Sequence, residues 1–262
     1  TPGPRFVFGE TTVAPLASGT ELPEDFKRGE VAHSYLVGDA TEAAIESWRE
    51  ASHAKAVRKD QSIIADHSEK TLDVDVEIDP GPAVKFGKLQ FAGKTTVREG
   101  RLSRIANLPT GSSYHPDKLD LVTKRLQKTG TFRSITLREA EELNADGTLD
   151  ITATLIDDKP RRLGFGAELS SLEGGTLSAY WMHRDITDNA DRLRFDAEIS
   201  GIGGTNEIDA TLSASYRRPA TVTRKTTLVL AAELEHLNEP DYTSDIGEFT
   251  FGFDVETSPN ST

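Results

Sequence analysis

Cysteine is absent from all 262 residues. Disulfide scaffolds, thiolate metal sites and cysteine nucleophiles are therefore excluded, and the composition is compatible with an oxidising compartment. Positive charge is in short supply: 30 Lys and Arg against 43 Asp and Glu leave a formal charge of −13. The cations are scattered rather than gathered into the basic face that a phosphate backbone requires, so no nucleic-acid partner is expected. No window approaches the ~18–20 consecutive apolar residues of a membrane helix. A membrane strand needs only ~9–11 residues with every second one apolar, so the mean hydropathy of −0.45 decides nothing about a bilayer.

Signatures of group chemistry are missing as well. The histidines (His33, His53, His67, His115, His183, His236) never fall at metal-ligand spacing, and no His-Glu-x-x-His occurs. Gly201-Ile202-Gly203-Gly204 lacks the Lys-Ser/Thr of a phosphate loop and reads as a hairpin between strands. No Gly-x-Ser-x-Gly elbow is present. Carboxylates such as Glu198 and Asp209 are what a hydrated strand face carries in any case. No catalytic, metal or cofactor-binding residue is expected, and no cofactor. Thr1-Pro2-Gly3-Pro4 contains no signal segment, so the chain reads as a mature or excised fragment.

What is present centres on Val84 to Pro160. Alternation through Val84–Phe91 predicts a strand with Phe86 toward a core, ending at Gly93. Val97, Leu102 and Ile105 are spaced for a helix over Thr95 to Ala106, with Thr96 and Glu99 placed as a capping box. After a breaker cluster, His115-Pro116-Asp117 opens a second helix carrying Leu119, Val122 and Leu126 and stopping at Gly130. Strands over 132–137 and 148–155 close a β-α-α-β-β module.

An earlier copy precedes it. Phe6 and Phe8 alternate as a first strand, Asp39 to Ser52 reads as a helix, and Ala56 to Ala65 and Thr71 to Ile78 as strands. Thr71-Leu72-Asp73 recurs as Thr148-Leu149-Asp150, which suggests tandem small domains. Pro15 and Pro23 leave the stretch between Ala14 and Gly38 poorly defined as a helix. Beyond Pro160 the pattern changes to six candidate amphipathic strands, from Leu163-Gly164-Phe165-Gly166 to Phe249–Val255. Their apolar face needs either a covering layer, as in a soluble sandwich, or lipid, with charge and glycine lining a wet lumen. The absence of any helical pattern in this region favours lipid.

Phe91-Ala92-Gly93, Leu108 with Gly111 and Tyr114, Leu119 and Leu126, and Thr129-Gly130-Thr131-Phe132 resemble the polypeptide-transport-associated (POTRA) pattern. Arg161–Gly166, Trp181-Met182-His183-Arg184 and Asn189–Phe195 are similar to the start of the barrel in BamA/TamA-type outer-membrane assembly proteins, and look closest to the TamA type. Asp185-Ile186-Thr187-Asp188 departs from the Asn-Leu-Phe-Gly-like turn usual there. Six strands cannot close even the smallest ~8-stranded membrane barrel, so the chain is expected to be a truncated portion. The resemblance implies tandem α+β POTRA domains, a POTRA-like 1–82 and a POTRA 83–160, followed by antiparallel strands 161–262 forming the N-terminal part of an outer-membrane β-barrel.

From the same resemblance follow a bacterial outer-membrane location with the POTRA domains in the periplasm, no enzyme activity, and unfolded outer-membrane or autotransporter clients. The lipid bilayer and a periplasm-spanning inner-membrane protein are the further partners. A two-partner secretion pore and a POTRA-barrel enzyme with its hydrolase upstream are the alternatives. Client capture would run through the backbone of edge strands: Val57 and Ile63 in the first module, and Phe132, Ser134, Ile135 and Leu137 in the second. Lys55, Arg58, Lys59, Arg133 and Arg138 could equally be charges that only protect those edges. Leu163, Gly164, Phe165 and Gly166 would form a first-strand seam that opens sideways, loosened by its two glycines.

Overall fold

The computed structural model describes residues 5–171, 174–204, 208–239 and 242–256; the reading of Thr1-Pro2-Gly3-Pro4 lies outside them. The chain divides into two compact units. One holds the residues through Lys88 with Pro109–Asp120 and Glu139–Ile151; the other holds Leu89–Leu108, Leu121–Arg138 and Thr152 onward.

In the first unit, β1 (Val7–Ala14), α1 (Ser34–Glu50), β2 (Val57–Asp66) and β3 (Thr71–Asp79) follow in order, with sheet order β1-β3-β2. β1 runs parallel to β3, and β2 antiparallel to it. Helix α1 packs Leu36, Val37, Ala40 and Ala44 with Phe8, Val74 and Val76 of the sheet, each large side chain contributing ~1.5–3 kcal/mol by burial. The helix begins before Asp39, because Leu36 and Val37 extend the buried face one turn earlier and Gly38 sits inside it without strain. Between β1 and α1 no second helix forms among the described residues. This corrects the expectation of β-α-α-β-β in both copies: Pro15 and Pro23 break that stretch.

The repeated Thr-Leu-Asp has a structural meaning. It opens β3 and, later, β6 (Thr148–Asp157), each the middle strand of its sheet. Asp73 Oδ1 accepts the Glu10 amide at 2.7 Å, and Asp150 Oδ1 accepts the Lys88 amide at 2.7 Å. Gly9 and Gly87 make room for these carboxylates, since a Cβ at either would collide with the aspartate oxygen. The copies are thus braced alike across their outer strands.

β4 (Lys85–Lys94), α2 (Glu99–Ala106), α3 (Pro116–Lys128), β5 (Phe132–Glu139) and β6 form the next stretch, with sheet order β4-β6-β5. Leu149, Ile151, Ala153 and Leu155 are all fully buried, the two-residue rhythm of a strand with one face in a core. Pro116 stands at the first position of α3 and Gly130, at φ +68°, follows its end, as helix start and stop chemistry requires. The capping box at Thr96 does not form: α2 is preceded by Arg98 with no side-chain cap. Thr96 Oγ1 turns instead to Asp157 (3.1 Å) and Asp185 (2.6 Å).

The second unit continues into β7 (Arg161–Ser170), β8 (Gly174–Arg184), β9 (Arg192–Ile202), β10 (Asp209–Arg218), β11 (Thr226–Glu239) and β12 (Tyr242–Val255). Each pairs antiparallel with the next, leaving β7 and β12 as opposite edges of a six-stranded sheet.

Candidate functional site

The six-stranded sheet has an apolar and a polar face in register. Leu163, Trp181, Phe195, Ala214, Ala232 and Phe249 lie in one row across all six strands. Phe165 is 83% exposed, Leu169 88% and Phe249 70%, so no layer of the described chain covers them. The band of large apolar residues runs from Leu163 to Leu169 on β7, but from Phe249 to Val255 on β12. Because Phe249 shares its row with Leu163, the band slides by six residues over the five steps between strands. At ~3.3 Å per residue and ~4.8 Å per strand, that is ~20 Å of drift across ~24 Å, so the strands lean about 40° from the normal to the band. Strands of membrane barrels tilt ~35–45° from the normal to their apolar slab.

The opposite face is graded in charge. Arg184, Arg192 and Arg217 share one row near the β7 start, whereas Asp196, Glu233 and Glu248 share a row nearer the other end. Arg194 lies over the Tyr180 ring at 4.3 Å and pairs with Asp196. At the β7 edge, the space over Gly164 is taken by Tyr180, whose ring a Cβ would strike, and that over Gly166 by Ser178 Oγ. The glycines therefore admit side chains from β8 and do not leave the packing gap expected of a loosened seam. Leu163 and Phe165 of that strand stand exposed on the other face.

β2 is an edge of its sheet and β5 of its own. Val57 and Ile63 are exposed on β2, and Ile64 with them. On β5, Ser134 is exposed while Phe132, Ile135 and Leu137 are half-buried. Lys59 of β2 pairs with Glu77 of β3 at 2.5 Å, the carboxylate raising the lysine pKa by hydrogen bond and charge.

Two polar clusters escaped sequence reasoning. In the first unit, Arg49 on α1 meets Glu139 (2.6 Å), and the Tyr114 hydroxyl donates to the same carboxylate oxygen at 2.6 Å. Tyr114 is buried, and Ser52 Oγ donates to its carbonyl at 3.0 Å. Burial, then the Glu139 hydrogen bond and charge, hold the tyrosine pKa well above its usual range. In the second unit, the β8–β9 turn is knotted around buried Asp191. Its carboxylate accepts from Thr187 N (3.1 Å), Thr187 Oγ1 (2.8 Å) and Tyr216 Oη (2.7 Å). Asp185, Asp188 and Ala190 take left-handed φ, which the short side chains of the two aspartates tolerate; this is the geometry of the turn that departed from the resemblance. Beside it, α2 holds the β10–β11 turn by its backbone: Arg101 donates to the Pro219 and Ala220 carbonyls, and Arg104 to Ala220 (2.8 Å) and Val222 (2.7 Å). Burial first, then the charges of Arg218 and Arg104, lower the Arg101 pKa. Among the described residues no cluster of His, Asp or Glu could hold a metal ion, and no helix is long and apolar enough to cross a membrane.

The sequence matches no protein-family profile and no curated protein. Solved structures do match in fold. BamA from Haemophilus ducreyi lacking POTRA domains 1–3 is similar at TM-score 0.68 and 15% identity, over 93% of this chain and 46% of that one. POTRA3–5 of Haemophilus influenzae BamA matches at 0.50 and 17%, over 57% and 61%. CdiB from Escherichia coli matches at 0.49 and 14%, over 97% and 48%. The chain thus spans about half the length of the first of these, and its strands and few helices share the fold of a BamA barrel with its POTRA region.

Proposed function

We propose that this chain is a portion of an outer-membrane protein assembly factor of the BamA/TamA kind, of the TamA type, that inserts or secretes other proteins without making or breaking bonds. The observation that carries the reading is the exposed apolar band, from whose normal the strands lean by about 40°. A soluble protein would cover such a surface; a bilayer supplies the cover. In this reading residues 1–82 and 83–160 are periplasmic POTRA modules and 161–262 begin the barrel. An extended client adds to the free edges of β2, at Val57 and Ile63, and of β5, at Phe132, Ser134, Ile135 and Leu137, bound by main-chain hydrogen bonds and so with little sequence demand. Leu163 to Gly166 on β7 form the seam through which a client hairpin leaves. Unfolded outer-membrane or autotransporter chains are the clients, with a periplasm-spanning inner-membrane protein as a further partner.

The natural lack of cysteine makes the test direct. Single cysteines at Ile63, Ser134 or Phe165 should form disulfides with a cysteine-bearing amphipathic strand peptide, and Thr211→Cys on interior strand β10 should not. Equal yields at all four positions would refute edge capture. A chain that stays monodisperse in buffer without detergent would refute the membrane placement.

A further inference from the structure

We propose that a cationic pocket on the polar face of the six-stranded sheet docks an acidic, extended polypeptide with carboxylates at every second residue, an inference that rests on the client reading above. By register, Arg192, Arg217, Thr227 and Asp254 lie on the face opposite the apolar band, so the occupant comes from water and not from lipid. The pocket lies wholly within the second unit, where the Lys124–Lys128 turn of α3 and the β10–β11 turn meet the ends of β9 to β12, and encloses about 140 Å³. Seven Lys or Arg line it against two carboxylates, an excess of five in a chain whose net charge is −13.

Two of the cations are answered. Arg125 meets Glu256 at 3.0 Å, and Arg217 meets Asp254 at 3.2 Å. Arg224 finds only the neutral Asn107 Oδ1, at 3.0 Å. The side chains of Lys124, Lys128, Arg192 and Lys225 have no hydrogen-bond or ion-pair partner among the described residues. The carbonyl end of α3 supplies roughly half a negative charge, too little for the excess. Like charges gathered in one recess repel, and an anionic occupant removes that repulsion.

Spacing and the charge of the same face select the occupant. Lys124 and Lys128 stand one helical turn apart, ~6 Å along α3. Alternate residues of an extended chain are ~6.7 Å apart and point to one side, so carboxylates at every second position meet both lysines while the residues between turn away. Amphipathic barrel strands have that composition: Asp196 and Glu198 flank Ala197 on β9, and Glu233 and Glu235 flank Leu234 on β11. Further along the polar face the sign reverses, with Asp196, Glu233 and Glu248 in one row and Glu198 and Glu235 in the next. An acidic strand is therefore drawn to the cationic end and held there, not passed along the face.

The test is binding of fluorescent peptides of strand length, ~9 residues, to the whole chain in neutral detergent at low ionic strength, read by anisotropy. A peptide alternating glutamate with valine should bind at least about tenfold more tightly than its glutamine counterpart, and added salt should erase the difference. The variant K124Q/K128Q/R192Q should lose that preference, while K124R/K128R/R192K keeps most of it, which separates lost charge from lost fold. Equal affinity for both peptides, or a preference that survives the glutamine variant, would overturn the pocket and leave edge capture standing. Inorganic phosphate that displaces the glutamate peptide beyond chloride of equal ionic strength would overturn the polypeptide as occupant. Binding of neither peptide would instead count against the client reading itself.

Discussion

Replacing Glu139 by Gln isolates the charge of one carboxylate in a buried cluster. Glu139 accepts from Arg49 Nη2 and from Tyr114 Oη, each at 2.6 Å, and its side chain is 17% exposed against 27% for Arg49. Hydrogen bonds to a charged group contribute ~1.5–3 kcal/mol and neutral ones ~0.5–1.5. Gln keeps an oxygen acceptor but no charge: the Tyr114 bond becomes neutral and the Arg49 guanidinium loses its counter-charge, so at ~1 kcal/mol each the variant should lose ~2 kcal/mol. The ~3–5 kcal/mol of a broken buried pair is an upper limit, because Arg49 still donates to the Ala54 carbonyl at 3.0 Å and lies 3.7 Å from Glu46. Trp48, edge-on to His53 at 4.8 Å and bonded to the Pro15 carbonyl, reports unfolding of this unit in denaturant once Trp181 is replaced by Phe. Alkaline pH gives a second reading. Tyr114 ionises near ~10 when unfolded and higher when folded, so the unfolded state binds fewer protons above that pH. The tyrosine's contribution is intact below pH ~10 and is lost as pH rises toward the folded value. Tyr114→Phe should flatten that decline. An unchanged denaturation midpoint in Glu139→Gln, together with an unchanged alkaline slope in Tyr114→Phe, would refute the account.

Asp191→Asn should lower the unfolding free energy in detergent by ~2–4 kcal/mol, read as a lower denaturation midpoint, since three donors lose a charged acceptor. Gly164→Ala should displace Tyr180 from over β7, read as a changed tyrosine environment in near-ultraviolet circular dichroism. Hydrogen bonds from Ser68 to Asp66 and from Thr148 to Asp146 lower both carboxyl pKa values. Their small contribution is present above the unfolded value of ~3.9 and lost as pH falls through the lower folded values, and carbon-13 titration of the two carboxyls should show both depressions.

What the sequence made legible was periodic. The alternation Leu149, Ile151, Ala153, Leu155 and the spacing of Val122 and Leu126 announced β6 and α3 because one buried face imposes one repeat. The start of α1 was hidden by Gly38, and the cap at Thr96 was diverted by two distant aspartates. Thr71-Leu72-Asp73 was visible as a repeat, but its use was not, because the partner amides lie more than sixty residues away. The Arg49, Tyr114 and Glu139 cluster and the cations around Arg192 likewise join residues that no local pattern connects.

The grip of Arg101 and Arg104 on the β10–β11 turn is directed at carbonyl oxygens. Main-chain atoms are the same whatever residue carries them, so Val222 can mutate freely while the grip persists, whereas Thr221 also ties the turn by donating its hydroxyl to the Arg218 carbonyl at 2.7 Å. Inheritance here should therefore be lopsided: a permissive Val222 on the held loop, and two unyielding arginines on the helix that holds it.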